Sequence, residues 1–350
     1  MPSVSAKKPR KTALIVILAI LGVLILGGAA FAIHVQQGVQ PLPEGDKVIY
    51  RVEQSMPRGL VFRQLRDRGV IRNSDTAELY ARFVLRSPAR ISDGSYQLSP
   101  GMTIEQVTEA LQKPLRNFVR IPEGYWIART AALLEKNEVC PAADYIRAAN
   151  EAERFQGIVK APIPESGSLE GYLYPDTYDL PPGISADRVI QMQLQAFSRK
   201  AWQPLGKPDR DELHRAVIIG SMVQLEAAID EERPVIAGVM INRLNRPMRL
   251  EIDATINYAL QEWRPLLRSE YRSVDSPYNT YLVNGLPPGP IGSPSFASIN
   301  AAMNPQQHRY IFYVAIPGSG GRHAFSETYE EHNRNIQRRN ELRKRLRESE

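Results

Sequence analysis

The chain has 350 residues, 43% hydrophobic and 23% charged, which excludes a disordered chain and one embedded throughout in a membrane, and its length suits two domains. A single cysteine, Cys140, excludes an intramolecular disulfide framework and a zinc site built from cysteine pairs. The net charge of +6 gathers at one end, where Lys7, Lys8, Arg10 and Lys11 precede any acid, so the remainder offers no electrostatic platform for nucleic acid.

Residues 1–12 read as a basic tail and residues 13–33 as an uncharged run, ALIVILAILGVLILGGAAFAI, of about 21 residues. At 1.5 Å per residue it matches a hydrocarbon core of roughly 30 Å and reads as a single N-terminal transmembrane helix. The basic cluster before it puts the N-terminus in the cytoplasm and the rest outside by the positive-inside rule. A cleaved signal peptide, with Ala30-Phe31-Ala32 as its cleavage site, is the competing reading, although the apolar part of such peptides runs to about 7–15 residues.

After a linker at 34–45, three segments repeat one order: a strand-like run, a Pro-Gly turn, then a helix-like run. They are Tyr50–Ile71, Tyr96–Lys113 and Phe118–Val139, with PRG, SPG and PEG at the reversals. Thr103 with Gln106 predicts a capping box. The fold class is therefore α+β, with a compact α+β module at 46–115 and a larger mixed α+β domain from 116 to 338. Between Asp209 and Leu244 the spacing of Ile218, Met222, Leu225 and Ile229 predicts a helical stripe, and Pro234 fits the first turn of a second helix. Residues 273–297 carry five prolines and three glycines and read as a long functional loop. The last 21 residues, including a tail at 339–350, read as a charged, solvated helix.

No phosphate loop, H-E-x-x-H zinc pair or G-x-S-x-G elbow is present. The histidines, His34, His214, His308, His323 and His332, have no ligand spacing and read as surface or capping residues; no metal or cofactor is expected. A carboxylate chemistry remains. In SLEGYLYPDTYDL (168–180), read as a strand, period two puts Glu170, Tyr172 and Tyr174 on one face, where rings would desolvate the carboxyl and stack on sugars. A structural carboxylate beside tyrosines explains the same pattern. Glu226 borders the apolar helix stripe, followed by Glu232-Arg233 and by Asp253 and Thr255, as cleft residues or as structural ion pairs and caps. Tyr278, Asn279, Thr280 and Tyr281 offer the donors, acceptors and rings that suit a polyhydroxylated ligand, or simply form a turn.

These residues resemble the endolytic murein transglycosylase family, MltG or YceG-like, in five ordered blocks: LEGYLYPDTY (169–178), GSMVQLEAAIDEERPVIAGVMINRL (220–244), MRLEIDATINY (248–258), SPYNTYLVNGLPPGPIGSP (276–294) and FSETYEEHN (325–333). The resemblance implies an inner-membrane-anchored enzyme with a LysM-like module at 46–115 and a catalytic transglycosylase domain at 116–338. It implies Glu170 as catalytic acid/base, and Tyr172, Tyr174, Asp176, Thr177, Tyr178, Glu226, Asp253, Thr255, Tyr278, Asn279 and Thr280 as substrate-binding residues. The reaction it implies cuts the MurNAc-β-1,4-GlcNAc bond of nascent peptidoglycan and leaves 1,6-anhydro-MurNAc ends. Partners would be glycan strands, the cytoplasmic membrane and glycan-polymerising penicillin-binding proteins. The chain departs from the family pattern at Gln224, Leu225 and Ala227 and at Ala254.

Overall fold

The computed structural model describes residues 10–349, so Lys7 and Lys8 of the basic tail lie outside the described residues. The first helix runs Arg10–Gly38, and its stretch Leu14–Gly38 is long and apolar enough to cross a membrane. The large apolar side chains between Leu14 and Ile33 are exposed, Val23 at 70% and Leu26 at 71%, a surface that is costly in water, while the end of the helix meets helix Ser74–Phe83. The helix continues through residues 34–38, assigned to the linker from sequence, because neither glycine nor proline lies between Ile33 and Gly38; Pro41 and Pro43 follow.

The chain divides into two compact units, the first of which includes this helix. One extends to Arg116 and takes in Pro181–Gly183; the other comprises Asn117–Leu180 and the chain from Ile184 onward. The fold is mixed α+β, and each sheet among the described residues is a two-stranded antiparallel pair.

In the smaller unit Val48–Val52 pairs with Gly94–Leu98, Tyr50 opposite Tyr96. Alternation turns Tyr50 and Val52 inward and leaves Ile49 exposed. The inward face packs on Phe62 and Leu65 of helix Arg58–Asp67 and on Val107 of helix Ile104–Ala110. The expected capping box is formed: Gln106 N–H donates to Thr103 Oγ1 at 3.3 Å and Thr103 N–H to Gln106 Oε1 at 2.9 Å. Arg58, 2% exposed, forks onto Glu78 at 2.8 and 2.7 Å and donates to the carbonyls of Ser87 and Pro88.

In the larger unit Phe118–Arg120 pairs with Thr177–Asp179 and leads through the PEG turn into helix Ile127–Lys136, the expected order, whereas at PRG the short strand Met56–Pro57 enters helix Arg58–Asp67 with no turn between. The core is built on helices Ala186–Phe197, Arg210–Glu226 and Arg233–Leu244, with Pro234 in the first turn of the last. Helix Arg210–Glu226 is capped by Asp209 and stops at Glu226, where Ala227 turns extended; Ile229 therefore lies outside the helical stripe predicted for it. Residues 274–295 are irregular apart from turns, as their prolines require. A hairpin, Phe312–Ala315 with His323–Ser326, then packs against helix Tyr329–Ser349. That helix runs unbroken across the boundary expected at 338–339, and it is not wholly solvated, because His332 stacks on Phe312 at 4.9 Å.

Candidate active site

The segment 168–176 is not a strand. Gly171 takes φ +82°, outside the range that strand alternation uses, and regular pairing begins only at Thr177. A side chain at Gly171 would come within 2.6 Å of Pro290 and 2.7 Å of Val217, so the turn is pressed against the core. The consequence is that Glu170, Tyr172 and Tyr174 do not share a face. Tyr172 is buried against Phe197, at 5.2 Å, and its hydroxyl meets His214 Nδ1 at 2.9 Å. Tyr174 is half-buried and its carbonyl accepts the hydroxyl of buried Tyr178. Asp176 is ion-paired with Lys200, and Thr177 is exposed on the short strand.

Glu170, 6% exposed, still sits among rings, but they come from elsewhere in the chain. Its Oε2 accepts the Ile127 N–H at 3.0 Å and the Tyr258 hydroxyl at 3.4 Å. Tyr258 lies edge-on to Trp126, with centroids 6.1 Å apart, and against Tyr278 at 4.8 Å. Oε1 is buried without a protein hydrogen-bond partner, as is Nε1 of Trp126. Burial pushes the Glu170 carboxyl up to about 8, only partly opposed by the amides of Ile127 and Gly171 and by the Tyr258 hydroxyl. At neutral pH it is a neutral acid. Trp126 and Tyr258 were not singled out from sequence; the N-cap position of one and the helical spacing of the other carry no mark of a shared pocket.

A second group gathers Glu226 and Asp253. They line a cavity of about 380 Å³ together with Tyr281, Tyr313, His323 and Arg339. Tyr313 donates to Glu226 Oε2 at 2.9 Å, while burial and the neighbouring Asp253 charge push the Glu226 carboxyl up to about 7. Asp253 accepts the hydroxyls of Tyr281 at 2.6 Å and Tyr271 at 3.1 Å. His323 is not the surface or capping residue expected: its Nδ1 is 2.7 Å from Glu232, both side chains nearly buried. Glu232 thus pairs with His323, and Arg233 pairs with Asp230.

Thr255, Asn279 and Thr280 are sealed inside and spend their polar atoms on the chain. Thr255 Oγ1 donates to the Ile252 carbonyl at 2.7 Å and lies 3.0 Å from Thr280 Oγ1, which accepts the Ile252 N–H; Asn279 Nδ2 donates to the Val274 carbonyl at 2.9 Å. These bonds fix the loop that carries Tyr278 to the helix Asp253–Leu260 that carries Tyr258. Gln224 is structural too, accepting Ser295 N–H and the Ser298 hydroxyl. Among the described residues no group of three or more His, Cys, Asp or Glu is arranged to hold a metal ion.

A neutral buried carboxyl in an aromatic cage, on this α+β framework, accompanies a match of residues 50–338 to the YceG-like family, and the chain belongs to that family. It is 25% identical to a Bacillus subtilis protein named endolytic murein transglycosylase, over 89% of this chain and 90% of that one. A Streptococcus pneumoniae protein of the same name is 27% identical over 93% of this chain, which spans 65% of that relative's length. The crystal structure of a yceG-like protein from Listeria monocytogenes, 30% identical, superposes with a TM-score of 0.54 over 83% of this chain and 99% of its own.

Proposed function

We propose that this protein is an endolytic lytic transglycosylase of nascent peptidoglycan, with Glu170 as its acid and then its base. The observation that carries the reading is a carboxyl neutral near pH 7, with one oxygen occupied by two donors and the other unpartnered. Glu170 would give its proton to the glycosidic oxygen as the bond to C1 of MurNAc breaks. The resulting carboxylate would take the proton of the MurNAc 6-hydroxyl as that oxygen bonds to C1, closing the 1,6-anhydro ring and restoring the acid. Water is not consumed. Because the nucleophile belongs to the same sugar, its effective molarity far exceeds that of a separate molecule. The cavity at Glu226 and Asp253, with Tyr281 and Tyr313 beside them, offers acceptors and rings to a neighbouring part of the strand.

The helix Leu14–Gly38 would anchor the enzyme in the cytoplasmic membrane with its N-terminus inside, so that both compact units work outside on strands trimmed or terminated as glycan-polymerising penicillin-binding proteins make them. The module at 46–115, LysM-like by resemblance, would hold or orient the strand. A hydrolase of the same bond would need a second carboxylate; Asp176 is committed to Lys200, which leaves Glu226 for that role. Digestion of uncrosslinked glycan by the wild type and by Glu170→Gln separates these readings. Anhydro ends from the wild type and none from the variant are expected. Reducing ends, or full cleavage by the variant, would overturn the proposal.

A further inference from the structure

Resting on the reading of Glu170 as the acid, we propose that Tyr258 is its positioning residue: the Tyr258 hydroxyl and the Ile127 amide keep Oε2 an acceptor, so that the proton to be transferred resides on Oε1. The Ile127 amide can only donate, and with the Tyr258 hydroxyl donating as well, both lone pairs of Oε2 are taken and none is left for a proton of its own. Oε1 makes no hydrogen bond to the protein, although the Gly171 amide lies near enough to the carboxyl to favour its ionised form. The proton is thereby stored on the one atom free to pass it to a ligand.

Tyr258 is itself held in place. The edge-on contact with Trp126 and the contact with Tyr278 fix its ring on two sides. The helix that carries it is tied at its first turn to Thr280 through the Ile252 amide and Thr255. At 3.4 Å its bond to the neutral acid is long. Once the proton has left, Oε2 shares a full negative charge and the same bond becomes charge-assisted, shorter and stronger. Tyr258 therefore favours the carboxylate that must wait for the second proton, and its removal makes Glu170 harder to ionise. The other titratable groups facing Glu170 are Tyr145 and Tyr278, and burial raises both above the ordinary tyrosine value, as it does Tyr258 itself. All three stay neutral while Glu170 titrates.

The test is the pH dependence of kcat/KM for cleavage of uncrosslinked glycan by the full chain. Its alkaline limb reports loss of the acid form of Glu170 in the free enzyme. Tyr258→Phe keeps the ring and its packing but removes the donor. We expect its alkaline midpoint to rise by about one pH unit and kcat at neutral pH to fall about tenfold with KM unchanged. Ile127→Pro deletes the other donor at the first position of helix Ile127–Lys136, where proline is tolerated and the preceding residue, Trp126, is already extended at φ −90° and ψ 169°. It should move the same limb in the same direction, and it serves on its own if Tyr258→Phe does not fold. An alkaline limb that stays in place or moves down in these folded variants overturns the assignment of Tyr258, whatever happens to kcat. Full cleavage by Glu170→Gln would instead overturn the reading on which the assignment rests.

Discussion

The Tyr313 hydroxyl and Glu226 Oε2, 2.9 Å apart and 87 positions apart in the chain, join the hairpin to the end of the helix Arg210–Glu226. This bond favours the ionised carboxyl, whereas burial and Asp253 oppose it, with a balance at about 7. Tyr313→Phe removes the only stabilising contribution of the three. The Glu226 midpoint should rise from about 7 by about one unit. Infrared difference spectra of the carboxyl band, with Glu226→Gln as the reference that loses it, give the midpoint directly; an unchanged or lowered value contradicts the geometry.

Glu170 makes the stability of the native state depend on pH. Its folded value, about 8, lies above the ordinary 4.5, so the folded chain holds this proton more tightly than the unfolded one. The stabilising contribution is complete below about 4.5 and is lost as pH rises toward 8. Glu170→Gln cannot ionise and removes that slope. In denaturant titrations the variant should match the wild type near pH 4 and exceed it by about 5 kcal/mol at pH 9, a gain in stability from a change expected to abolish cleavage. A wild type whose stability is flat between these values would mean that Glu170 is not buried as described.

The smaller unit depends on Arg58. Its guanidinium, itself buried, forks onto the half-exposed Glu78 and also caps the Ser87 and Pro88 carbonyls. Arg58→Ala leaves two carbonyls unpaired and a half-exposed carboxylate to be solvated, and a loss of about 2 to 3 kcal/mol is expected. Arg58→Lys keeps the charge but not the fork, and should recover less than half of it. Equilibrium unfolding of both variants decides; a loss under about 1 kcal/mol for the alanine variant would show the fork to be dispensable.

Local grammar was legible in the sequence and long-range company was not. The Thr103–Gln106 box, the turns at SPG and PEG and the place of Pro234 each depend on residues within a few positions and match the fold, whereas at PRG the strand Met56–Pro57 passes directly into the helix Arg58–Asp67. Glu170 was picked out for the right kind of neighbourhood with the wrong neighbours. The expected rings were two and four residues away, yet the one that reaches it, Tyr258, is 88 residues on. Strand alternation breaks down here because one glycine at positive φ rotates the residues on its C-terminal side. Thr255, Asn279 and Thr280 look like ligand donors in a polar loop, and only the fold shows that they are spent on holding that loop. His323 and Glu232 likewise read as unrelated until the hairpin brings them together.

The same glycine supplies the sharpest local test. At φ +82° an alanine is strained by its backbone alone, and its Cβ would meet Pro290 at 2.6 Å and Val217 at 2.7 Å. Neither neighbour can swing aside, since Pro290 is a ring in a loop and Val217 a core residue of the helix Arg210–Glu226. The turn must therefore shift, and Glu170, the residue just before it, shifts with it. Gly171→Ala should cost about 2 to 4 kcal/mol and should lower kcat more than it raises KM, because a displacement of about 1 Å at a reacting group costs about a hundredfold. The pairing of denaturation with steady-state cleavage is decisive: a variant as stable and as active as the wild type would mean that this turn neither presses on the core nor aims the carboxyl.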